Sequence, residues 1–280
     1  MLRWETELKL FWEKHLFQLE KSYPGINFER LIQVVKDLFP LQFQSHLLPL
    51  NPLYQQWLEA VPLEYMTGEK YFYRSVFTVN EKVLIPRSET EILVDMASQF
   101  LKKNPEKKKI IDIGTGSGAI ILSLLMDQMH PLEAYATDLS CAALEVARTN
   151  YQRHLYQIHA KSSLKFLYAD RLFGIQDQFD LIVTNPPYIH AEKDRQKVHQ
   201  QTYQYEPHSA LYIPDSEYES WFKIFLLQIQ SALRPGGLCL MEGHEDHLEN
   251  LQSLALTMGF GTVNIVKDYA QNNRFLEIKN

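Results

Sequence analysis

The chain has 280 residues, of which 45% are apolar and 22% charged, and its formal net charge is −6. That length suits one large domain and one small one, and the apolar share supplies a core and excludes global disorder. An acidic balance speaks against general nucleic-acid binding, which needs clustered Lys and Arg. The opening Met1-Leu2-Arg3-Trp4-Glu5 is charged and unlike a signal peptide, and no stretch approaches the ~20 apolar residues of a membrane span, so the expected location is the cytoplasm. Cys141 and Cys239, each in an apolar stretch, read as reduced core thiols.

The first sixty residues read as helices. Leu8, Trp12, Leu16 and Leu19 recur at helical spacing, as do Phe28, Leu31, Ile32, Val35 and Leu38, with Pro24-Gly25 and Pro40 as breaks. Residues 1–70 are therefore expected to form a small helical bundle. Its aromatic residues either grip a protein partner or simply form the bundle core. Residues 71–88 read as a β-hairpin linker: Tyr71-Phe72-Tyr73 and Val76 to Val79 are strand-like, Asn80-Glu81 offers a turn, and Val83-Leu84-Ile85 follows. Ser88-Glu89-Thr90-Glu91 has the pattern of a capping box and starts a helix to about Leu101. Lys102 to Lys109 reads as a charged loop.

Residues 89–280 then alternate strand and helix. Strands are predicted at Ile110–Ile113, Ala134–Thr137, Leu164–Tyr168, Asp180–Thr184 and Leu238–Met241, with Thr262–Val266 and Arg274–Ile278 closing the chain. Helices are predicted at Ala119–Met129, Ser140–Asn150, Tyr218–Leu233 and Asp246–Met258. Such alternation predicts an α/β fold with a mostly parallel sheet and helices on both faces.

Three signals carry chemistry. Asp112-Ile113-Gly114-Thr115-Gly116-Ser117-Gly118 follows a buried strand and opens a helix, where glycine lets backbone turn sharply and approach a ligand. Asp138 ends the next strand, where a carboxylate can accept from both hydroxyls of a ribose; capping the following helix is its other reading, and Ser140 competes for that role. These two leave a nicotinamide cofactor open beside S-adenosylmethionine. The third signal, Asn185-Pro186-Pro187-Tyr188, follows the apolar strand Phe179 to Thr184. Two prolines remove two N–H donors and stiffen the corner, freeing backbone carbonyls and the Asn185 side chain to accept hydrogen bonds. A planar NH₂ group offers two donors in one plane, and Tyr188 can pack flat against it.

Asn-Pro-Pro-Tyr after such a strand resembles the signature of methyltransferases acting on planar nitrogens, both DNA adenine and protein glutamine methyltransferases. Pro62-Leu63-Glu64-Tyr65-Met66-Thr67-Gly68-Glu69, Val83-Leu84-Ile85-Pro86-Arg87-Ser88-Glu89-Thr90-Glu91 and the glycine run together resemble the HemK-type peptide chain release factor glutamine-N5 methyltransferases, over roughly Pro62 to Asn280. The resemblance implies a Rossmann-like S-adenosylmethionine-dependent methyltransferase sheet with an antiparallel last strand, and a peptide chain release factor as protein substrate. It implies that Gly114, Thr115, Gly116, Ser117 and Gly118 hold the methionine end of S-adenosylmethionine, Asp138 its ribose, and Asp170 and Arg171 lie near its adenine. Asn185, Pro186, Pro187 and Tyr188 would hold the substrate amide, with Asn185 also near the cofactor. Arg87 and Glu89 would help shape the site.

The chain departs from the family pattern in three places. Leu211 to Ser216 replaces a glycine pair and Asp-Gly, Arg171 stands where an aromatic residue is common, and Gly243 is followed by His244-Glu245-Asp246 rather than a segment with glutamine. These changes sit beside the expected cleft and bear on the identity of the protein substrate. A metal is not expected: His244 and His247 with Glu245 and Asp246 read as exposed polar residues at a helix start, and the other histidines lack ligand spacing. Protein glutamine methylation is the leading reading. Methylation of adenine N6 in nucleic acid and a non-catalytic cofactor-binding paralogue are the alternatives, and nucleic acid is not expected as the direct substrate.

Overall fold

The computed structural model describes residues 2–42, 44, 47–106 and 108–280, so positions 1, 43, 45, 46 and 107 of the segments discussed above lie outside the described residues. The first half of the chain gives α1 (Arg3–Ser22), α2 (Phe28–Leu38), α3 (Asn51–Leu58), α4 (Leu63–Thr67), β1 (Glu69–Phe72), β2 (Ser75–Thr78), α5 (Thr90–Lys103), β3 (Lys109–Ile113), α6 (Ala119–Asp127), β4 (Glu133–Asp138) and α7 (Cys141–His154). Then come β5 (Ser163–Tyr168), β6 (Phe179–Thr184), β7 (Ile189–His190), α8 (Gln200–Tyr205), β8 (Tyr212–Ile213), α9 (Tyr218–Ala232), β9 (Leu233–Glu242), α10 (Leu248–Thr257), β10 (Thr262–Lys267) and β11 (Asn273–Lys279).

Two compact units result, one of residues 1–69 with 198–206 and one of residues 70–197 with 207–280. The first packs α1 to α4 around Trp4, Leu8, Leu19, Leu31, Val35 and Trp57. The buried stripe of α1 runs through Trp4, Leu8, Phe11 and Leu19, while Leu16, expected on it, is 37% exposed. The Phe11 ring stacks on Tyr54 at 4.1 Å, so these aromatics form core. Asn27 caps α2 by accepting from the Arg30 N–H at 2.9 Å. The segment carrying α8 joins this unit through two backbone acceptors: Gln201 Nε2 donates to the Ala60 carbonyl at 2.9 Å and the Tyr205 hydroxyl to the Glu59 carbonyl at 2.7 Å.

The second unit is a seven-stranded sheet in the order β10-β11-β9-β6-β3-β4-β5. β11 runs antiparallel to both neighbours, and the β9-β6-β3-β4-β5 pairs are all parallel. All of β6 and all but the first residue of β3 are buried, because helices cover both faces, as the alternation predicts. The chain leaves β3 toward β4 and β5 on one side and returns to β6 and β9 on the other. That reversal opens a crevice at the carboxyl ends of β3 and β6, where ligands of such sheets bind.

The linker differs from expectation. The hairpin turn is at Tyr73-Arg74, with Tyr73 at φ +57, and joins β1 to β2. Asn80 does form a turn, its side chain accepting from the Lys82 N–H at 3.0 Å and its carbonyl from the Val83 N–H at 3.1 Å, but Val83-Leu84-Ile85 is not a strand. Val83 and Ile85 are buried. Buried Asn150 ties β2 down: it accepts from the Thr78 N–H at 2.7 Å and donates to the Thr78 and Ser117 carbonyls at 2.9 Å. Of the two cysteines Cys239 is buried, whereas Cys141, in the first turn of α7, is exposed.

Candidate active site

A cavity of about 500 Å³ opens along the carboxyl edge of the sheet. It is bordered by Gly114 and Gly116 after β3, Asp138 at the end of β4, Asp170 and Arg171 after β5, and Asn185, Pro186 and Pro187 after β6. Residues as far apart in sequence as Gly114 and Pro187 meet there because parallel strands all end on one edge.

The glycine turn is built from backbone. The Thr137 carbonyl accepts from the N–H groups of Gly114 and Thr115 at 2.9 and 2.8 Å. Gly114 and Gly116 sit at φ +72 and +56, and a Cβ on either would meet no atom within 4 Å, so both present bare backbone to open space. Thr115, Ser117 and Gly118 do not line the cavity. The Thr115 hydroxyl donates to Asp112 at 2.6 Å, Ser117 is buried, and a Cβ on Gly118 would crowd Ala147 at 3.3 Å. Their part is to shape the turn. Asp112 lies fully buried beneath it, and burial pushes its carboxyl up to about 7, with the Thr115 bond opposing and the Asp138 charge adding.

Asp138 keeps its carboxylate for the cavity. Oδ2 accepts from the Gly116 N–H at 2.9 Å and Oδ1 from the Ser140 N–H at 2.8 Å, leaving lone pairs on both oxygens. Ser140 is the helix cap, its hydroxyl accepting from the Ala143 N–H at 3.1 Å. Burial raises the Asp138 carboxyl, against the pull of these backbone donors. A two-oxygen acceptor beside side-chain-free backbone fits the ribose and tail of a nucleoside cofactor. Asp170 and Arg171 line the same cavity and bind each other: Arg171 Nε and Nη2 reach the two Asp170 oxygens at 3.0 and 2.9 Å. The Arg171 guanidinium also lies 4.7 Å over the Trp221 ring and donates to the Trp221 carbonyl at 3.1 Å. Arg171 sits at φ +56, unusual for a residue with a Cβ.

Behind Asn185 lies a chain of hydrogen bonds with one direction. Asn185 Nδ2 donates to the Thr90 hydroxyl at 3.3 Å, and the Thr90 hydroxyl donates to Glu242 Oε2 at 2.7 Å. The Tyr188 hydroxyl donates to Glu242 Oε1 at 3.3 Å. An ionised carboxylate only accepts, so the Thr90 hydroxyl must be the donor of that bond. Thr90 can then only accept from Asn185, which turns the Asn185 NH₂ inward and leaves Oδ1 as its outward atom. Burial raises the Glu242 carboxyl, and the Thr90 bond and Arg274 charge oppose that shift. Tyr188 does not line the cavity; its carbonyl accepts from the Tyr218 hydroxyl at 3.1 Å and its ring backs the corner.

Thr90 and Glu242 were not singled out from sequence. The pattern at Ser88 suggests a capping box, yet no side chain caps α5, and the Ser88 hydroxyl bonds Glu89 instead at 3.2 Å. Thr90 turns inward because a buried carboxylate awaits it. The signal in sequence was Glu242 itself, a charge closing the apolar strand Leu238 to Met241.

Residues 89–206 match the methyltransferase small domain family. A release factor glutamine methyltransferase of Haemophilus influenzae is 34% identical over 238 residues, covering 81% of this chain and 78% of that protein. One of Chlorobaculum tepidum is 31% identical over 290 residues, covering 97% of this chain and 94% of that protein. Among solved structures, the T. thermophilus 16S rRNA N2 G1207 methyltransferase (RsmC) in complex with AdoMet and guanosine is similar with a TM-score of 0.52, at 17% identity, over 76% of this chain and 50% of that one. That likeness concerns the fold.

Proposed function

The chain belongs to the release factor glutamine methyltransferases, and from that premise we propose that it transfers the methyl group of S-adenosylmethionine to the side-chain amide nitrogen of a glutamine in a peptide release factor. The observation that carries the site assignment is the outward Oδ1 of Asn185, set by Thr90 and Glu242. An amide nitrogen is a weak nucleophile because its lone pair is delocalised into the carbonyl. Bound S-adenosylmethionine supplies a methyl carbon made electrophilic by sulfonium sulfur. Asn185 Oδ1 and the Pro186 carbonyl accept the two N–H groups, hold the amide plane and stabilise positive charge developing on nitrogen. Positioning of this kind lowers a barrier by ~7–11 kcal/mol when geometry is near attack. Asp138 holds the ribose hydroxyls, the bare backbone at Gly114 and Gly116 receives the methionine end, and Arg171 and Trp221 border the base. Thr115, Ser117 and Gly118 hold the turn.

Among the described residues no helix is long and apolar enough to cross a membrane. The proposed place of reaction is the cytoplasm, where a peptide release factor is met. The deciding experiment incubates the protein with methyl-labelled cofactor and either a release factor or DNA. Label in the release factor, at a glutamine side chain, is expected; label only in DNA would replace the protein substrate by adenine. Asn185→Ala should abolish transfer while cofactor binding survives, and retained turnover would remove the amide clamp.

A further inference from the structure

Two of the departures from the family pattern meet in space beside the first cavity. Asp215 belongs to the altered stretch Leu211–Ser216, and His244 and His247 follow Gly243. His190 on β7, Asp215 and His247 line a second cavity, about 450 Å³, with Tyr218 and Glu219 among others; Asp194 clusters with His190 and His247, and the His244 ring lies 4.9 Å from that of His247. One ring nitrogen each from His190 and His247 and one carboxylate oxygen of Asp194 lie within 4.8 Å of one another. His190 and Asp194 are buried, and His244 and His247 are half-buried rather than exposed as their sequence context suggests.

One pair in the cluster is spaced nearly as an ion needs. His247 Nε2 stands 3.0 Å from Asp194 Oδ2. Ligand atoms at ~2.0–2.1 Å from a tetrahedral ion are about 3.3 Å apart, so that pair, hydrogen-bonded as it stands, needs only a small shift to form such an edge, and the other separations, within 4.8 Å, would close around the ion. His190 Nδ1 is buried with no hydrogen-bond partner among the described residues, and its nearest recorded anion is Asp215 Oδ1 at 3.6 Å. An orphaned buried nitrogen is costly unless something completes it. Stacking on Tyr218 at 3.8 Å fixes the His190 ring. Asp215 is itself oriented by the N–H groups of Glu192 and Lys193 at 3.0 and 3.3 Å. Lys197 is the competing cation, 3.1 Å from Asp194 Oδ1, but its side chain is 55% exposed and retains Asp246 at 2.7 Å as a partner.

We propose that His190, Asp194 and His247, with Asp215 as a fourth ligand, form a site for one divalent transition-metal ion. Mixed imidazole and carboxylate donors suit Zn²⁺ and its first-row neighbours rather than Ca²⁺ or Mg²⁺. An ion there ties together the segment leaving Asn-Pro-Pro-Tyr, the stretch Ile213–Glu217 and the start of α10. Ile213, Pro214 and Glu217 also border the first cavity, so the ion would brace one wall of the methyl-transfer cleft. The proposal does not depend on the methyl-transfer reading.

The test uses the untagged full-length chain, freed of metal by chelator dialysis. Zn²⁺ is titrated against a chromophoric chelator, and Co²⁺ is added separately to read its ligand field. One equivalent of Zn²⁺, an intense tetrahedral or five-coordinate Co²⁺ spectrum, and a rise in Tm with Zn²⁺ are expected. His247→Gln and Asp194→Asn should each weaken Zn²⁺ binding at least about tenfold and lose the Tm rise, while His159→Gln, remote from the cluster, binds as the parent does. Absence of stoichiometric binding by the parent chain, or equal binding by all three variants, would overturn the site. Should a variant fail to fold, the Co²⁺ spectrum of the parent still decides: an octahedral aquo-like spectrum overturns it.

Discussion

Replacing Thr90 by Val tests the directed chain behind Asn185, because Val keeps the shape of Thr and deletes only the hydroxyl. Two hydrogen bonds go with it. The 2.7 Å bond to Glu242 involves a buried charge, and bonds of that kind are worth about 1.5–3 kcal/mol. For a unit of this size that corresponds to a fall in Tm of roughly 3–12 °C. The 3.3 Å bond from Asn185 is longer and between neutral groups, about 0.5–1.5 kcal/mol, which is the preference that keeps Oδ1 outward. Its loss should lower kcat about two- to tenfold, with KM for S-adenosylmethionine unchanged because Asp138 and the glycine turn are untouched. Thr90→Ser should restore both kcat and Tm, since it returns the hydroxyl. The assays are methyl transfer to a release factor at saturating cofactor and thermal unfolding of the same samples. A Val variant with parental kcat, or a Ser variant as impaired as Val, would refute the claim that Thr90 sets the amide's direction.

Asp138→Ala should raise the Kd for S-adenosylmethionine by about a hundredfold or more, the value of two hydrogen bonds to a charged acceptor, measured by calorimetry; an unchanged Kd would mean the ribose sits elsewhere. Asn185→Ala should lower kcat about 10²–10³-fold with cofactor affinity retained, the scale of losing one preorganised group. Asp112 gives a pH signature. Its folded value of about 7 lies above the ordinary 3.8, so the folded chain binds the extra proton. Its contribution to stability is therefore complete below about pH 4, falls between about pH 4 and 7, and is flat above. Relative to Asp112→Asn, the parent should lose up to about 4 kcal/mol across that window in denaturant titrations, and parallel profiles would contradict the buried-carboxyl assignment. Glu242, raised by burial, moves in the same direction: protonation favours the fold, yet it removes the pure acceptor that orients Thr90, so methyl transfer should show an acid limb above the ordinary carboxylate range.

Much of the catalytic unit was readable along the chain. Strand and helix periods are local, and each apolar run from Ile110 to Ile278 falls on the element it suggests, within a few residues. That Gly114, Gly116, Asp138 and Asn185-Pro186-Pro187 come to one sheet edge was readable because each belongs to a short stretch at the end of a strand. The helical first region was readable too, though Leu16 shows that spacing alone leaves the direction of the buried stripe open by one position.

What only the tertiary structure decided are pairings between distant residues. Thr90 and Glu242 are 152 positions apart and Thr90 and Asn185 are 95 apart, so a pattern that reads as a helix cap became part of an amide's support once β9 lay beside β6. The segment around α8 joined the first compact unit, and His190, Asp194 and His247 came together, for the same reason. Backbone periodicity is set by sterics over a few residues, whereas strand order is set by the burial of whole faces. Side chains that meet across those faces therefore carry no mark of each other in the linear chain.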